Sequence, residues 1–136
     1  MIIEINPNTQ LDKINQGFKN YYPFLKLEFF NKPHSWQDET SEIQLISQQK
    51  FVKEVTDLQN NGFIEIHYWQ KTGTVEQLFA KRFKLFIQIY RQHGEQWVQT
   101  TGTDELSLEE QNEVGRKASE ELLHISNNTF EKEKLL

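Results

Sequence analysis

The residues best suited to chemistry lie in the stretch GFIEIHYWQ, residues 62–70. Successive side chains of a β-strand point to opposite faces, so Glu65, His67 and Trp69 would share one face. The Cβ atoms of Glu65 and His67 would then lie roughly 6–7 Å apart. At that separation a carboxylate can orient an imidazole, and the two groups can act in general acid–base catalysis. Glu65 and His67 are therefore the candidate catalytic residues.

No other catalytic or ligand-binding motif accompanies this pair. The chain contains no cysteine, so it has no thiolate nucleophile, disulfide framework or cysteine-ligated zinc. Its four histidines do not show a metal-ligand spacing, and Gly73 and Gly102 do not belong to a glycine-rich phosphate-binding pattern. We therefore expect no metal site and no cofactor.

The length and charge of the chain limit its class. Its 136 residues fit one domain, and its formal net charge of -5 with scattered Lys and Arg does not favour a nucleic-acid partner. No apolar run approaches the roughly 20 residues of a membrane span. The first residues also lack the basic and apolar regions of a secretory signal. These features predict a cytoplasmic protein without membrane contact.

Hydrophobic periodicity divides the chain into alternating strands and helices. Strands are expected at 1–5, 24–30, 62–69, 84–91 and 96–101, and helices at 9–21, 47–59, 74–83 and 107–124. Apart from the segment 31–61, the first six elements match a ferredoxin-like β-α-β-β-α-β core. The predicted fold is α+β, with an antiparallel or mixed sheet, helices on one face, and an added C-terminal strand and helix.

Local signals define the boundaries within this fold. Thr74 with Gln77 and Ser107 with Glu110 form capping-box patterns at two helix starts. A two-residue turn at 93–94 would pair Tyr90 with Trp97 across a hairpin. We expect one domain over residues 1–125, in which 31–61 is an insertion loop with a short helix. Residues 126–136 are expected to form a flexible charged tail.

In this architecture one face of the sheet is aliphatic, and the other, here called the polar-aromatic face, collects aromatic and polar side chains. The candidate binding residues on it are Trp69, Phe86, Tyr90, Trp97 and Gln99. Three interpretations are open. The C-terminal helix covers this face as a second core, or the face contacts a protein, or it carries the Glu65–His67 catalytic pair. Aromatic side chains mixed with polar groups are typical of protein interfaces.

The segment IYRQHGEQWVQTTGTDELSLEEQN resembles part of a family of small, uncharacterised bacterial proteins. The shared features are an aromatic-Arg strand, a Gly turn, a Trp strand and a helix start of the form T-D-x-x-S/T-L-x-x-Q-N. The stretch NYYPFLKLEFF is similar to the N-terminal half of these proteins. The resemblance implies a stand-alone cytoplasmic domain and carries over no catalytic residue.

The sequence therefore favours a small cytoplasmic binding or assembly module that acts through the polar-aromatic face. Its partner would be another protein or a second copy in a homodimer. The alternative is a small cofactor-free enzyme that uses Glu65 and His67 for general acid–base catalysis.

Overall fold

The computed structural model describes residues 1–31 and 44–134, with side chains as far as Leu122. Part of the predicted insertion, residues 32–43, therefore lies outside the described residues. The strands are β1 (Ile2–Ile5), β2 (Leu25–Phe30), β3 (Gly62–Glu65), β4 (Phe86–His93) and β5 (Gln96–Gln99). The helices are α1 (Leu11–Tyr21), α2 (Val52–Val55), α3 (Thr72–Phe83) and α4 (Leu108–Lys134). Helices and antiparallel strands are combined in one chain, so the α+β class is confirmed.

The described strands form two sheets. Strand β1 pairs with β3, and β4 lies between β2 and β5; all three pairings are antiparallel. A ferredoxin-like topology is not confirmed, because such a core has a single four-stranded sheet. Strands β2 and β4 are the longer pair, and their register sets Leu27 opposite Ile89 and Phe29 opposite Ile87. This match of aliphatic side chains explains why β2 takes β4 as its neighbour.

The core lies between the aliphatic sides of both sheets and the helices. Strand β2 alternates as predicted, with Leu25 and Leu27 buried in the core cluster. Helix α4 adds Leu108 to the same cluster and lies along β4. Gly115 of α4 lies so close to Phe24 that an added Cβ would be 3.0 Å from the Phe24 Cβ. The glycine therefore allows α4 to approach the three-stranded sheet closely.

One of the two predicted helix starts is confirmed. The backbone N–H of Glu110 donates to the Ser107 hydroxyl oxygen (3.1 Å), and the Ser107 N–H donates to the Glu110 carboxylate (3.0 Å). The predicted start at Thr74 is wrong, because α3 begins at Thr72, whose N–H and hydroxyl both donate to the Leu106 carbonyl oxygen. Helix α4 continues to Lys134 and so includes most of the segment predicted as a tail.

The hairpin between β4 and β5 is shifted from the predicted register. His93 pairs with Gln96, so the two loop residues are Gly94 and Glu95, and Tyr90 pairs with Gln99 instead of Trp97. Gly94 has φ 65°, a left-handed conformation that favours glycine over histidine at the first loop position. The shift is two residues, so every side chain keeps its predicted face.

Strand β3 ends four residues before its predicted end. Beyond Ile66, whose N–H still donates to the Met1 carbonyl oxygen (2.9 Å), the chain turns, and the Gln70 N–H donates to the His67 carbonyl oxygen (3.1 Å). The same segment is attached to the start of α4, because the Leu108 N–H donates to the Gln70 carbonyl oxygen (3.0 Å). Tertiary contact with α4 therefore replaces continued strand pairing.

The outer edge of β2 is completed by other parts of the same chain. The Leu27 N–H donates to the side-chain oxygen of Asn15 (2.8 Å), and the Gln48 side-chain amide donates to the Leu27 carbonyl oxygen (2.9 Å). Further along, the Ile46 N–H donates to the Phe29 carbonyl oxygen (2.8 Å). At this edge of the three-stranded sheet both backbone groups of Leu27 and the carbonyl group of Phe29 are therefore satisfied.

Candidate functional site

The structure brings together the three residues singled out in GFIEIHYWQ. Glu65 is the last residue of β3, and His67 and Trp69 lie in the turn that follows. The Glu65 carboxylate oxygen is 3.7 Å from the His67 Nε2, and the His67 and Trp69 rings are stacked with centroids 5.3 Å apart. The 3.7 Å separation is an ion-pair distance and is longer than a hydrogen bond.

This group is open to water. The side chains of Glu65 and His67 are 55% and 42% exposed, and Trp69 is 61% exposed. Exposed charge pairs gain little energy because solvent screens them, and general acid–base residues usually sit where burial or neighbouring charges adjust their pKa. The arrangement can orient the imidazole, but both titratable groups are exposed to water and do not lie in a dry pocket.

The other four candidate binding residues lie on the three-stranded sheet, at Phe86, Tyr90, Trp97 and Gln99. The side of this sheet that they share is largely buried, since Tyr90 is 7% exposed and the neighbouring Gln88 and Phe30 are 0% and 2% exposed. The Gln99 side-chain amide donates to the Tyr90 hydroxyl oxygen (3.2 Å).

Trp97 makes contacts within the chain. The Lys26 ammonium lies 5.0 Å from the Trp97 ring centroid and 5.5 Å from that of Tyr90, and Lys19 lies 5.5 Å from the Trp97 ring. Lys26 also pairs with the Glu28 carboxylate at 3.1 Å. These cation–π contacts and the ion pair hold the half-buried Trp97 against β2.

The prediction of one continuous polar-aromatic face is therefore wrong. Glu65 belongs to the sheet of β1 and β3, with His67 and Trp69 in the turn after it, whereas Phe86 and Tyr90 belong to the sheet of β2, β4 and β5. The sequence alone did not indicate this separation, because alternation shows which residues share a face of a strand but not which strands pair.

Sequence reasoning also missed a buried carboxyl group on α3. The Glu76 carboxyl accepts a hydrogen bond from the Ile89 N–H (2.8 Å) and is 6% exposed. Burial and, to a smaller extent, the nearby Asp104 raise the pKa of Glu76 to about 8, although the hydrogen bond from the Ile89 N–H opposes the shift. The signal was present, since Glu76 lies between Thr72, Val75 and Phe79 on the buried side of the helix.

A second buried polar group links β4, the following loop and α4. The Arg91 guanidinium donates to the Gln111 side-chain oxygen (2.7 Å), and the Gln111 amide donates to the Thr103 carbonyl oxygen (2.8 Å). Burial lowers the pKa of Arg91. These residues lie in the segment that carries the family resemblance, and here they hold three elements together.

The exposed apolar side chains are concentrated elsewhere. Among the described side chains, the apolar ones that are more than half exposed are Ile2, Tyr21, Phe63, Tyr68 and Trp69, at 52–62%. We call these five residues the β1–β3 patch, because they lie on β1, on β3 and the turn after it, and at the end of α1. Other exposed large apolar side chains, such as Phe51, reach only 40–42%.

The described residues contain no group of three or more His, Cys, Asp or Glu side chains that could hold a metal ion. None of the helices in the described part of the chain has both the length and the apolar character needed to cross a membrane. No family model, curated protein or solved structure matches this sequence. The resemblance to small uncharacterised bacterial proteins therefore stays a prediction.

Proposed function

We propose that this chain is a small assembly module that forms a homodimer through the β1–β3 patch. The observation that carries the proposal is the concentration of exposed apolar side chains in one region of a chain whose mean hydropathy is -0.73. Ile2 and Tyr21 line one groove and Ile2 and Phe63 line another, and exposed apolar side chains that lie together on a polar protein are typical of interaction sites.

The arrangement of side chains within the patch supports a protein contact. On the outward side of the small sheet Ile2 and Phe63 are diagonal neighbours, and the exposed Glu4 and Glu65 occupy the other two positions. The Arg82 guanidinium lies 6.0 Å from the Phe63 ring centroid. Aromatic residues and arginine are enriched at protein interfaces, so this composition fits a contact surface with a polar rim.

Most of the polar-aromatic face is left out of this proposal. Tyr90 is buried within the chain, and the half-buried Trp97 is engaged with Lys19 and Lys26. Phe86, also half-buried, lies on the same side as Tyr90. Trp69 is the one candidate binding residue that belongs to the β1–β3 patch, because its side chain is exposed.

A small acid–base enzyme is the alternative function. It is favoured by the 3.7 Å approach of Glu65 to His67 and by the stacking of His67 on Trp69. The exposure of both titratable groups weighs against it. An enzyme of this kind needs no second copy, so a strict monomer would favour it over the assembly module.

The proposal is tested by sedimentation velocity and light scattering over a wide range of protein concentration. We expect a reversible dimer, and Ile2→Ser should raise its dissociation constant by about tenfold or more, as loss of a central apolar contact does. Phe51→Ser is the matched control, because Phe51 is an exposed aromatic residue that is not part of the patch and pairs with Gln10 before the start of α1. A native chain that stays monomeric at every concentration would contradict the proposal.

A further inference from the structure

The hydrogen bonds between β1 and β3 show which backbone groups of β1 remain unpaired. The Met1 amino group donates to the Ile66 carbonyl oxygen (2.8 Å), and the Ile66 N–H donates to the Met1 carbonyl oxygen (2.9 Å). Hydrogen-bonded pairs alternate in an antiparallel ladder, so Ile3 and Ile5 also bond to β3. The N–H and C=O groups of Ile2 and Glu4 therefore point to the opposite edge.

This edge is open. In the part of the chain that the structure describes, no strand pairs with β1 on that side. A groove of about 320 Å³ runs beside the edge, between β1 and α1, and is lined by Ile2, Glu4, Lys13, Gly17 and Tyr21 among others. An edge strand with outward N–H and C=O groups is a template for another extended strand.

We propose that β1 pairs in antiparallel orientation with β1 of a second copy of the chain. The two small sheets then join into one sheet of four strands, in the order β3–β1–β1–β3. This inference rests on the proposed homodimer and places its contact at the Ile2 and Tyr21 end of the β1–β3 patch, because both residues line the groove beside the edge.

Charge and hydrogen bonding select one register for this pairing. In a two-fold arrangement Ile2 of one copy faces Glu4 of the other, and the outward backbone groups of both residues are satisfied in both copies. A register with Glu4 opposite Glu4 would set like charges side by side, which is unfavourable. A register with Ile2 opposite Ile2 would leave the backbone groups of Glu4 without a strand partner. Glu4 therefore selects the register in which it faces Ile2.

The charge around the groove also favours a second copy as the occupant. The groove is lined by one acidic side chain, Glu4, by one basic side chain, Lys13, and by Met1 with its amino group, so it is not acidic although the chain carries -5. Contact through the outward side of the sheet would instead set Glu4 and Glu65 of one copy against the same acids of the other. Pairing through the edge avoids that repulsion.

Helix α1 leaves room for this approach. Gly17 lies on the side of α1 that lines the groove, and a Cβ added there would meet nothing within 4 Å. In the joined sheet both α1 helices lie on the same side, next to the two-fold axis. A glycine at this position lets two helices come close together.

Disulfide trapping tests the register directly, because the natural chain has no cysteine and each variant carries a single thiol. Hydrogen-bonded antiparallel pairs have Cα atoms about 5.5 Å apart, inside the range of about 4.4–6.8 Å that a disulfide spans. We expect a mixture of Ile2→Cys and Glu4→Cys chains to form a mixed disulfide in a redox buffer. Ile2→Cys alone, which keeps Glu4, should crosslink at least severalfold less, since identical positions are offset along the strands.

The outcomes separate this inference from the proposed function. Light scattering can show a dimer while no mixed disulfide forms, or while Ile2→Cys crosslinks mainly to itself. Either result would contradict the strand pairing but not the homodimer. A native chain that is monomeric at every concentration would overturn both. The expected result is a disulfide between Ile2→Cys and Glu4→Cys chains in the mixture. This disulfide should be lost when Ile2→Ser chains replace the Ile2→Cys chains.

Discussion

The outer edges of β1 and β2 both carry backbone groups that need hydrogen-bond partners, but the surroundings of the two edges differ. Each would expose backbone N–H and C=O groups to solvent. At β2 the side chains of Asn15 and Gln48 bond to both backbone groups of Leu27. At β1 the corresponding groups of Ile2 and Glu4 face a groove. The difference shows that the chain satisfies the backbone groups of Leu27 at the β2 edge with its own side chains, whereas the β1 edge has room for a partner.

The completion of the three-stranded sheet extends to its central strand. Strand β5 ends at Gln99, and beyond it the Glu76 carboxyl accepts a hydrogen bond from the Ile89 N–H. The Thr100 hydroxyl donates to the Ile89 carbonyl oxygen (2.8 Å). A side chain thus takes the place of a neighbouring strand at the Ile89 N–H, and the Thr100 hydroxyl adds to the hydrogen bond that the Thr100 N–H donates to the Ile89 carbonyl oxygen (3.2 Å). Substitutions of these side chains test whether the stability of the three-stranded sheet depends on them. Substitutions beside β1 test whether the two-stranded sheet is stable without a neighbour at its outer edge.

The largest effect is expected at Glu76 and depends on pH. Its pKa in the folded state is about 8, above the usual value of 4.5, so between these values the folded state holds a proton that the unfolded state has released. The free energy of unfolding should therefore fall as pH rises from about 5 to 8, by roughly 1–3 kcal/mol from this group. Glu76→Gln keeps an acceptor for the Ile89 N–H and removes the titration, so its stability should change less over this range.

Urea unfolding of both proteins at a series of pH values measures this difference. Glu121→Gln is the control, because Glu121 is exposed on α4 and its replacement should leave the pH profile of the native protein unchanged. Parallel profiles for native protein and Glu76→Gln would show that Glu76 is charged in the folded state and would contradict the expectation.

An effect of about 2 kcal/mol is expected from Asn15→Ala. The Leu27 N–H would lose its acceptor while staying buried, which typically costs about 1–3 kcal/mol, and the Gln48 side chain would lose a partner. Denaturant unfolding measures the loss. Asn20→Ala, an exposed asparagine on the same helix, should change stability by only about 0.5 kcal/mol. Equal effects of the two substitutions would mean that the β2 edge does not depend on Asn15.

The smallest effect, at Gly17, has opposite signs for the monomer and the dimer. Alanine is favoured over glycine inside a helix by about 1 kcal/mol, and the added Cβ meets nothing in one chain, so Gly17→Ala should stabilise the monomer. The same methyl group should weaken the dimer severalfold, because it enters the space between the two α1 helices. Thermal unfolding at low concentration and sedimentation at high concentration measure the two effects. Gln16→Ala is the control, because Gln16 is exposed on α1 outside the groove, and it should leave the dissociation constant of the dimer unchanged. If Gly17→Ala also leaves this constant unchanged, the contact between the two α1 helices is excluded.

Features set by neighbouring residues were predictable from the sequence. The alternation of Leu25, Leu27 and Phe29 placed β2 and its buried side correctly. The Ser107–Glu110 pattern located the start of α4, because both hydrogen bonds close within four residues. The spacing of Glu65 and His67 anticipated that their side chains lie on one side of the chain.

Features set by distant residues were not predictable in the same way. The start of α3 depends on Leu106, which is 34 residues from Thr72 along the chain, and no local pattern contains that contact. The division into two sheets depends on β2 preferring β4, a choice between strands with similar alternation. The buried Glu76 was visible as a charge on an apolar helix side, but its partner, the Ile89 N–H, comes from another element.

The pairing of β1 with β3 has a consequence for the time course of synthesis. Met1 and Ile66 are 65 residues apart in sequence, and ribosomes add about 5–20 residues per second. Strand β1 therefore waits roughly 3–13 s for its partner strand to be made. During that interval the apolar stretch IIEI has both edges open, and Glu4 is the single charge that interrupts it. Glu4, which we propose selects the register of a dimer, would thus also protect the nascent chain from premature association.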